Sequence, residues 1–174
     1  MAHSQQIDFC QKVRLNFPSH FKDVRVLDAG SQDINGNNRY LFENCNYLGI
    51  DLGEGPNVDL VCAMHEHEPE EKYDTIISTE AFEHDKNFKE SVRHIVYSLL
   101  KSGGLFLMTC AAHGRPEHGT HNHSFVDSPF TLDFYKNRGP KDFAEALDLE
   151  EVFYKYGFEY NGDSHDLYFW GLKH

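Results

Sequence analysis

The stretch Val26 to Gly36 constrains this chain more than any other. Val24, Val26 and Leu27 read as a short buried strand, which breaks at Asp28-Ala29-Gly30 into a polar turn. Gly36 and Asn37 then open an expected helix near 36–43. A strand ending in an acid, a tight glycine turn and a helix are the parts from which α/β proteins build a crevice for a nucleoside.

The rest of the chain continues that alternation. Residues 5–17 place Ile7, Cys10, Val13 and Phe17 at helical spacing, and Pro18 stops the helix. Further strands are expected at 46–51, 58–61 and 73–78. A longer helix over roughly 87–100 presents Val92, Ile95, Val96, Leu99 and Leu100 on one face. Ser102-Gly103-Gly104 ends it, and Leu105 to Cys110 form another strand. Strands alternating with helices imply a parallel sheet covered on both faces. The end of the chain differs: residues 154–160 alternate strictly, with Tyr154, Tyr156, Phe158 and Tyr160 on one side. Asn161-Gly162-Asp163 supplies a turn and Asp166 to Lys173 a second aromatic strand, which together read as an antiparallel hairpin. The expected fold is α/β, a Rossmann-like seven-stranded sheet, mostly parallel with a C-terminal antiparallel hairpin and helices on both faces. One domain is expected over 1–174, with an N-terminal helical segment at 1–22. The polar stretch 111–139 reads as an acceptor-side loop or lid, because loops of that length in a compact domain are usually functional or mobile.

A chain of 174 residues can bury one substantial core. No apolar run approaches the roughly 20 residues needed to cross a bilayer. Met1 to Gln6 lacks the basic and apolar regions of a signal peptide, so a cytoplasmic protein without membrane attachment is expected. Cys10, Cys45, Cys62 and Cys110 show no paired metal spacing and read as free thiols. A net charge of -12 repels phosphate backbones and disfavours nucleic acid as a partner.

Asp51 ends the second expected strand, 23 residues after Asp28. In a dinucleotide fold an acid about 20 residues past the glycine turn accepts from both ribose hydroxyls. A pyrophosphate needs G-x-G-x-x-G, but here only Gly30 and a delayed Gly36 occur. Gln32-Asp33 place bulk and negative charge where phosphates would sit. A nucleoside carrying a cation and an amino-acid tail suits this turn better.

Over about residues 23–172 the chain resembles the class I S-adenosylmethionine-dependent methyltransferases, in their small type 11-like branch. The resemblance rests on Val26-Leu-Asp-Ala-Gly30, Gly49-Ile-Asp51, Tyr73-Asp-Thr-Ile-Ile-Ser-Thr-Glu-Ala-Phe-Glu-His84 and Leu99-Leu-Lys-Ser-Gly-Gly-Leu-Phe106. It implies that Asp28 and Gly30, with Ser31 and Gln32 in the same turn, line the methionine part of the cofactor. Asp51 would hold the ribose, Leu52 flank the adenine, Ala63 and Met64 approach it, and Thr79 and Glu80 close the site. Gln32 stands where the family's loop has its second glycine, and an acid often found near Ala63 is missing.

Glu80, Glu83 and His84 put three ligand-type side chains within five residues. On a helical turn their spacing would bring all three to one face, and oxygen and imidazole ligands suit Mg, Mn or Zn. The pattern also resembles the metal-binding signature of small-RNA 3′-terminal 2′-O-methyltransferases and of some quinone-pathway O-methyltransferases. That resemblance implies a divalent metal at Glu80, Glu83 and His84, with a further ligand from His113, His118, His121 or His123. Without a metal the same residues cap the helix or orient the acceptor. His84 and His113 are the candidate general bases, since imidazole titrates near neutral pH. Asp133 to Arg138 adds aromatic and basic groups able to hold a planar or anionic acceptor. The expected activity is methyl transfer to an O or N atom of a small molecule. Its rivals are a metal-dependent RNA-end 2′-O-methyltransferase and a module that binds the cofactor without turnover.

Overall fold

The computed structural model describes residues 3–174, so Met1 and Ala2 of the expected 1–22 segment lie outside the described residues. Seven strands form one sheet: β1 (Arg25–Ala29), β2 (Asn46–Asp51), β3 (Leu60–Val61), β4 (Tyr73–Thr79), β5 (Leu100–Ala111), β6 (Phe153–Asn161) and β7 (Asp166–Lys173). Their order is β3-β2-β1-β4-β5-β7-β6. The first five run parallel, while β7 pairs antiparallel with both β5 and β6. The order reverses direction at β1 and β4, and open α/β sheets place their ligand crevice at the strand C-termini beside such a reversal.

Neighbouring residues along the central strands divide between two apolar layers, as a period of two requires. Val26, Ile77, Leu105 and Leu107 face the layer that holds Phe9, Cys10 and Val13 of helix α1 (Ser4–Asn16). Leu27, Ile76, Phe106 and Met108 face the opposite layer. There they meet Phe88 and Val92 of α2 (Phe88–Arg93) and Phe143 of α3 (Pro140–Ala146). The buried face of α1 is Gln6, Phe9, Cys10 and Val13, a rotation from the expected Ile7-to-Phe17 stripe. The helix begins where His3 Nδ1 accepts the Gln6 N–H at 3.3 Å, an N-cap bond.

Several expectations are corrected. The helix expected near 36–43 is absent, leaving a single 3-10 turn at Arg39–Leu41. Asp33 accepts from Gly36 N and Asn37 Oδ1 accepts from Arg39 N, so short polar side chains take the N–H groups that a helix would need. The 87–100 helix is α-helical only to Arg93 and π-helical over His94–Leu99. Leu100 already pairs with Tyr73, and the ladder then shifts register before Thr75 meets Leu105. Ser102-Gly103-Gly104 is therefore an irregularity within β5, not the end of a helix, and Gly103 takes a φ of 74° there. Helices α3 and α4 (Leu149–Val152) carry no expectation from the sequence. No helix among the described residues is long and apolar enough to cross a membrane.

Candidate active site

The C-terminal ends of β1, β2 and β4 open into a cavity of about 390 Å³. Asp28, Gly30, Ser31 and Gln32 line it from the turn after β1, and Asp51 and Leu52 from the end of β2. Ala63 and Met64 contribute from beyond β3, and Thr79 and Glu80 from the end of β4. The structure thus gathers all ten residues expected around a cofactor onto one wall.

Gly30 has a φ of 81°, and a Cβ there would fall 2.4 Å from the Ala81 Cβ. Glycine is needed both for the left-handed turn and for that close approach. Asp28 is 2% exposed. Its Oδ2 accepts from Tyr47 Oη at 2.5 Å and from Asn57 Nδ2 at 3.2 Å, while Oδ1 has no hydrogen-bond partner. Burial pushes the Asp28 carboxyl up to about 6, against the hydrogen bonds from Tyr47 and Asn57.

Gln32 takes an unexpected part in the geometry. Its backbone N–H donates to Asp51 Oδ2 at 2.9 Å, and Leu52 N–H donates to Asp51 Oδ1 at 2.7 Å. Asp51 therefore ties the β1 turn to the end of β2. The Gln32 side chain lies against Gly55, where a Cβ would come within 2.4 Å of Nε2. A side chain in place of the family's glycine is accommodated because it packs on that neighbouring glycine. Asp33 bends back onto Gly36 N and Asn37 Nδ2.

The expected face of Glu80, Glu83 and His84 does not form. No α-helix starts here: Glu80 sits at φ 55°, and residues 82–84 form a turn. The left-handed residue separates the acids, because it swings the chain before Glu83. Glu80 Oε1 accepts from Thr109 Oγ1 at 2.8 Å, and its ligand atoms group with His3 and Asp166. His3 Nε2 lies 2.8 Å from Asp166 Oδ2.

Glu83 and His84 group instead with His118 from the 111–139 loop, with ligand atoms within 4.8 Å of one another. Glu83 is fully buried, and both its oxygens lack a hydrogen-bond partner, as does His84 Nδ1. His118 Nε2 lies 4.0 Å from Glu83 Oε1. Burial first and the Glu80 charge second push the Glu83 carboxyl up to about 8. Burial, then the neighbouring His118, push the His84 imidazole down to about 3. Gly119 has a φ of 61° and would bring a Cβ within 2.6 Å of the His84 ring, so a glycine lets the loop close over His84.

His84 lines the cavity, whereas Glu83 and His118 lie outside its wall. His113 is corrected as a candidate base: it is exposed and off the wall, and its carbonyl accepts from Tyr160 Oη. The loop reaches the cavity through Asp127, Phe130, Asp133 and Phe134 rather than through its histidines. Arg138, read from sequence as an acceptor group, is buried and donates to the carbonyls of Phe82 and Asp85. Sequence reasoning missed Asp85 and Phe130 on the wall, and Asn38, whose Nδ2 donates to Thr79 Oγ1. An acid one residue past Glu83-His84 was a visible signal for Asp85. Nothing local to Asn38 or Phe130 indicates what they reach.

A methyltransferase-domain family matches residues 1–161 of the chain. No curated protein matches it in sequence. Among solved structures it is similar to a Burkholderia thailandensis 1,6-didemethyltoxoflavin-N1-methyltransferase with bound 1,6-didemethyltoxoflavin and S-adenosylhomocysteine. That similarity has a TM-score of 0.61 at 14% identity and covers 99% of this chain and 92% of the other. The N-methyltransferase NodS from Bradyrhizobium japonicum WM9 follows it at TM-score 0.60 and 14% identity, over 97% of this chain and 96% of that one. Haemonchus contortus phosphoethanolamine N-methyltransferase 2 gives 0.60 at 17% identity, over 93% of this chain and 52% of its own. At these identities the likeness is one of fold.

Proposed function

Because the chain belongs to the class I S-adenosylmethionine-dependent methyltransferase-domain family, we propose that it transfers a methyl group to an oxygen or nitrogen atom of a small-molecule acceptor. The cavity carries this reading, since its wall offers what S-adenosylmethionine requires. Asp28 keeps one buried oxygen without a partner, suited to the ammonium of the methionine part. Each Asp51 oxygen, although bound by one N–H, retains a lone pair for a ribose hydroxyl. Leu52 and Met64 supply apolar surface for the base. When bound, the cofactor supplies a methyl carbon activated by its sulfonium. The chain's own contribution is to hold two molecules in line within one cavity, and positioning supplies much of the rate in such a displacement. His84, neutral at physiological pH, is an imidazole on that wall, along with His65, able to orient an acceptor or take its proton. The small-molecule reading draws support from structural neighbours whose names specify N-methylation of small molecules.

Calorimetric titration with S-adenosylhomocysteine, together with methyl release from labelled S-adenosylmethionine over an acceptor panel, tests the reading. Saturable binding is expected, with affinity for S-adenosylmethionine falling as pH drops through about 6, where Asp28 gains a proton and loses its charge. Absence of binding sinks the reading. Tight binding without turnover on any acceptor favours a non-catalytic module.

One observation favours a second reading, in which a divalent cation sits behind the wall. A fully buried carboxylate with two unpartnered oxygens is costly, and Glu83 lies beside two imidazoles. His118 Nδ1 donates to the Pro116 carbonyl at 3.1 Å, which leaves the Nε2 lone pair toward Glu83. Glu83, His84 and His118 would hold the ion, and its charge would neutralise Glu83 and pin the loop to the turn after β4. Titration with Zn²⁺ and Mn²⁺ is expected to show one site, weakened at least tenfold by His118→Ala. Equal affinity in the variant, or no binding, removes the ion.

A further inference from the structure

Every cation of the 111–139 loop is engaged away from the cavity. Arg115 donates to Ser164 O and Asp166 Oδ1, Lys136 pairs with Asp142 at 2.7 Å, and Arg138 caps the carbonyls of Phe82 and Asp85. None of the three lines the wall, where Lys86 is the one lysine or arginine among the described residues. The basic residues of the loop, expected to receive an anionic acceptor, are thus committed elsewhere, and Lys86 is left as the single lysine on the wall.

The wall is instead rich in carboxylates. Beyond Asp28 and Asp51, it carries Glu66, Glu80, Asp85, Asp127 and Asp133. Two of these are built into the fold rather than solvated. Glu80 is 8% exposed, is held through Oε1 by the buried Thr109 hydroxyl, and keeps Oε2 without a partner. It does so from a left-handed conformation, φ 55°, that disfavours any residue with a side chain. Such strain persists only where the surroundings over-determine it, and it gathers at functional sites. Asp85 has Oδ1 occupied by Asn87 N–H at 2.7 Å and Oδ2 buried and unpartnered. Unpaired buried carboxylate oxygens are costly unless a ligand supplies the donors.

We propose that the acceptor is an amine that enters as a cation and is held by the Glu80 and Asp85 carboxylates, which rests on the methyltransferase reading above. An ammonium supplies N–H donors to both free oxygens and the opposite charge to both acids. The acid-lined cavity of a chain with net charge -12 also raises the local concentration of cations. An ammonium has no lone pair, so one proton must pass to a carboxylate before attack. The nitrogen pair then forms the N–C bond while the C–S pair stays on sulfur. Phe130 and Phe134 on the same wall give the acceptor's carbon frame an apolar and aromatic surface.

The test uses protein saturated with S-adenosylhomocysteine and three probes of one shape: phenethylamine, 2-phenylethanol and phenylacetate. Phenethylamine is expected to bind at least tenfold more tightly than either of the others. Glu80→Gln and Asp85→Asn are each expected to weaken it at least fivefold, while leaving 2-phenylethanol within twofold. Equal binding of phenylacetate, unchanged amine affinity in both variants, or no amine binding to the loaded protein overturns the proposal. Failure of S-adenosylhomocysteine to bind the wild type is a different result, and it overturns the methyltransferase reading itself. Asp85→Asn lies in a turn away from the strained Glu80 position, so it keeps the test open if Glu80→Gln does not fold.

Discussion

Asp51→Ala is expected to weaken S-adenosylhomocysteine binding by roughly 10- to 150-fold, or about 1.5–3 kcal/mol, the range for hydrogen bonds to a charged group. Two effects act together. The ribose loses its carboxylate, and the Gln32 and Leu52 N–H groups lose the acceptor that joins the β1 turn to the end of β2. Asp51→Asn disturbs both as well. The amide retains one oxygen for one of the two N–H donors but presents an NH₂ to the other, so the loop loosens along with the ribose contact. Both variants should therefore show faster hydrogen exchange over residues 30–35 than the wild type, in addition to weaker binding. Calorimetry with unaltered affinity in Asp51→Ala would remove the ribose assignment. Weak binding with unchanged exchange would mean that the loop is held by other bonds, such as Ser31 Oγ to Asn57 O and Asn57 Nδ2 to Ser31 O.

The parts of this architecture legible in the sequence are those written in local periodicity. The strand at 46–51 and the strand at 166–173 coincide with β2 and β7, because alternation and flanking turn residues mark both. The ten wall residues were legible through the resemblance to methyltransferases, and they meet here because strand ends in a parallel sheet converge by topology. What escaped is set by long-range bonds. The turn around Asn37 and Asn38 has helix-compatible neighbours, yet Asn38 is buried between Gln6 and Thr79, residues distant in sequence. The Glu80, Glu83 and His84 face failed because a helical period was assumed across a left-handed residue. The histidines of 111–139 attracted attention by residue type, although only His118 reaches the interior, and what brings it there is the fit of Gly119 against His84.

Arg138 shows how far a residue's place can differ from its chemical label, and its removal should produce the largest stability change among the loop residues. Arg138→Ala is expected to lower stability by about 3–5 kcal/mol, the loss of two hydrogen bonds made by a charged donor together with the two carbonyls left unpaired. The side chain is 5% exposed. Nε donates to Phe82 O at 3.0 Å and Nη2 to Asp85 O at 2.7 Å, and the guanidinium stacks 4.2 Å from the Phe88 ring centroid. Truncation leaves two carbonyls without donors beneath the turn that carries Glu83 and His84. In a domain of this size each kcal/mol corresponds to about 2–4 °C, so a fall in Tm of roughly 10 °C is expected in thermal unfolding. Arg138→Lys should recover only part of it, since one ammonium on a flexible stem does not reproduce the planar fork that reaches both carbonyls. If Arg138 instead received an anionic acceptor, the alanine variant would unfold within about 2 °C of the wild type and lose only acceptor binding. The geometry opposes that outcome, because the guanidinium is buried off the cavity wall, with Nε and Nη2 on carbonyls and its face on Phe88. The loop beside the cavity is thus clamped by its own cation, and on the wall carboxylates outnumber the single lysine, Lys86.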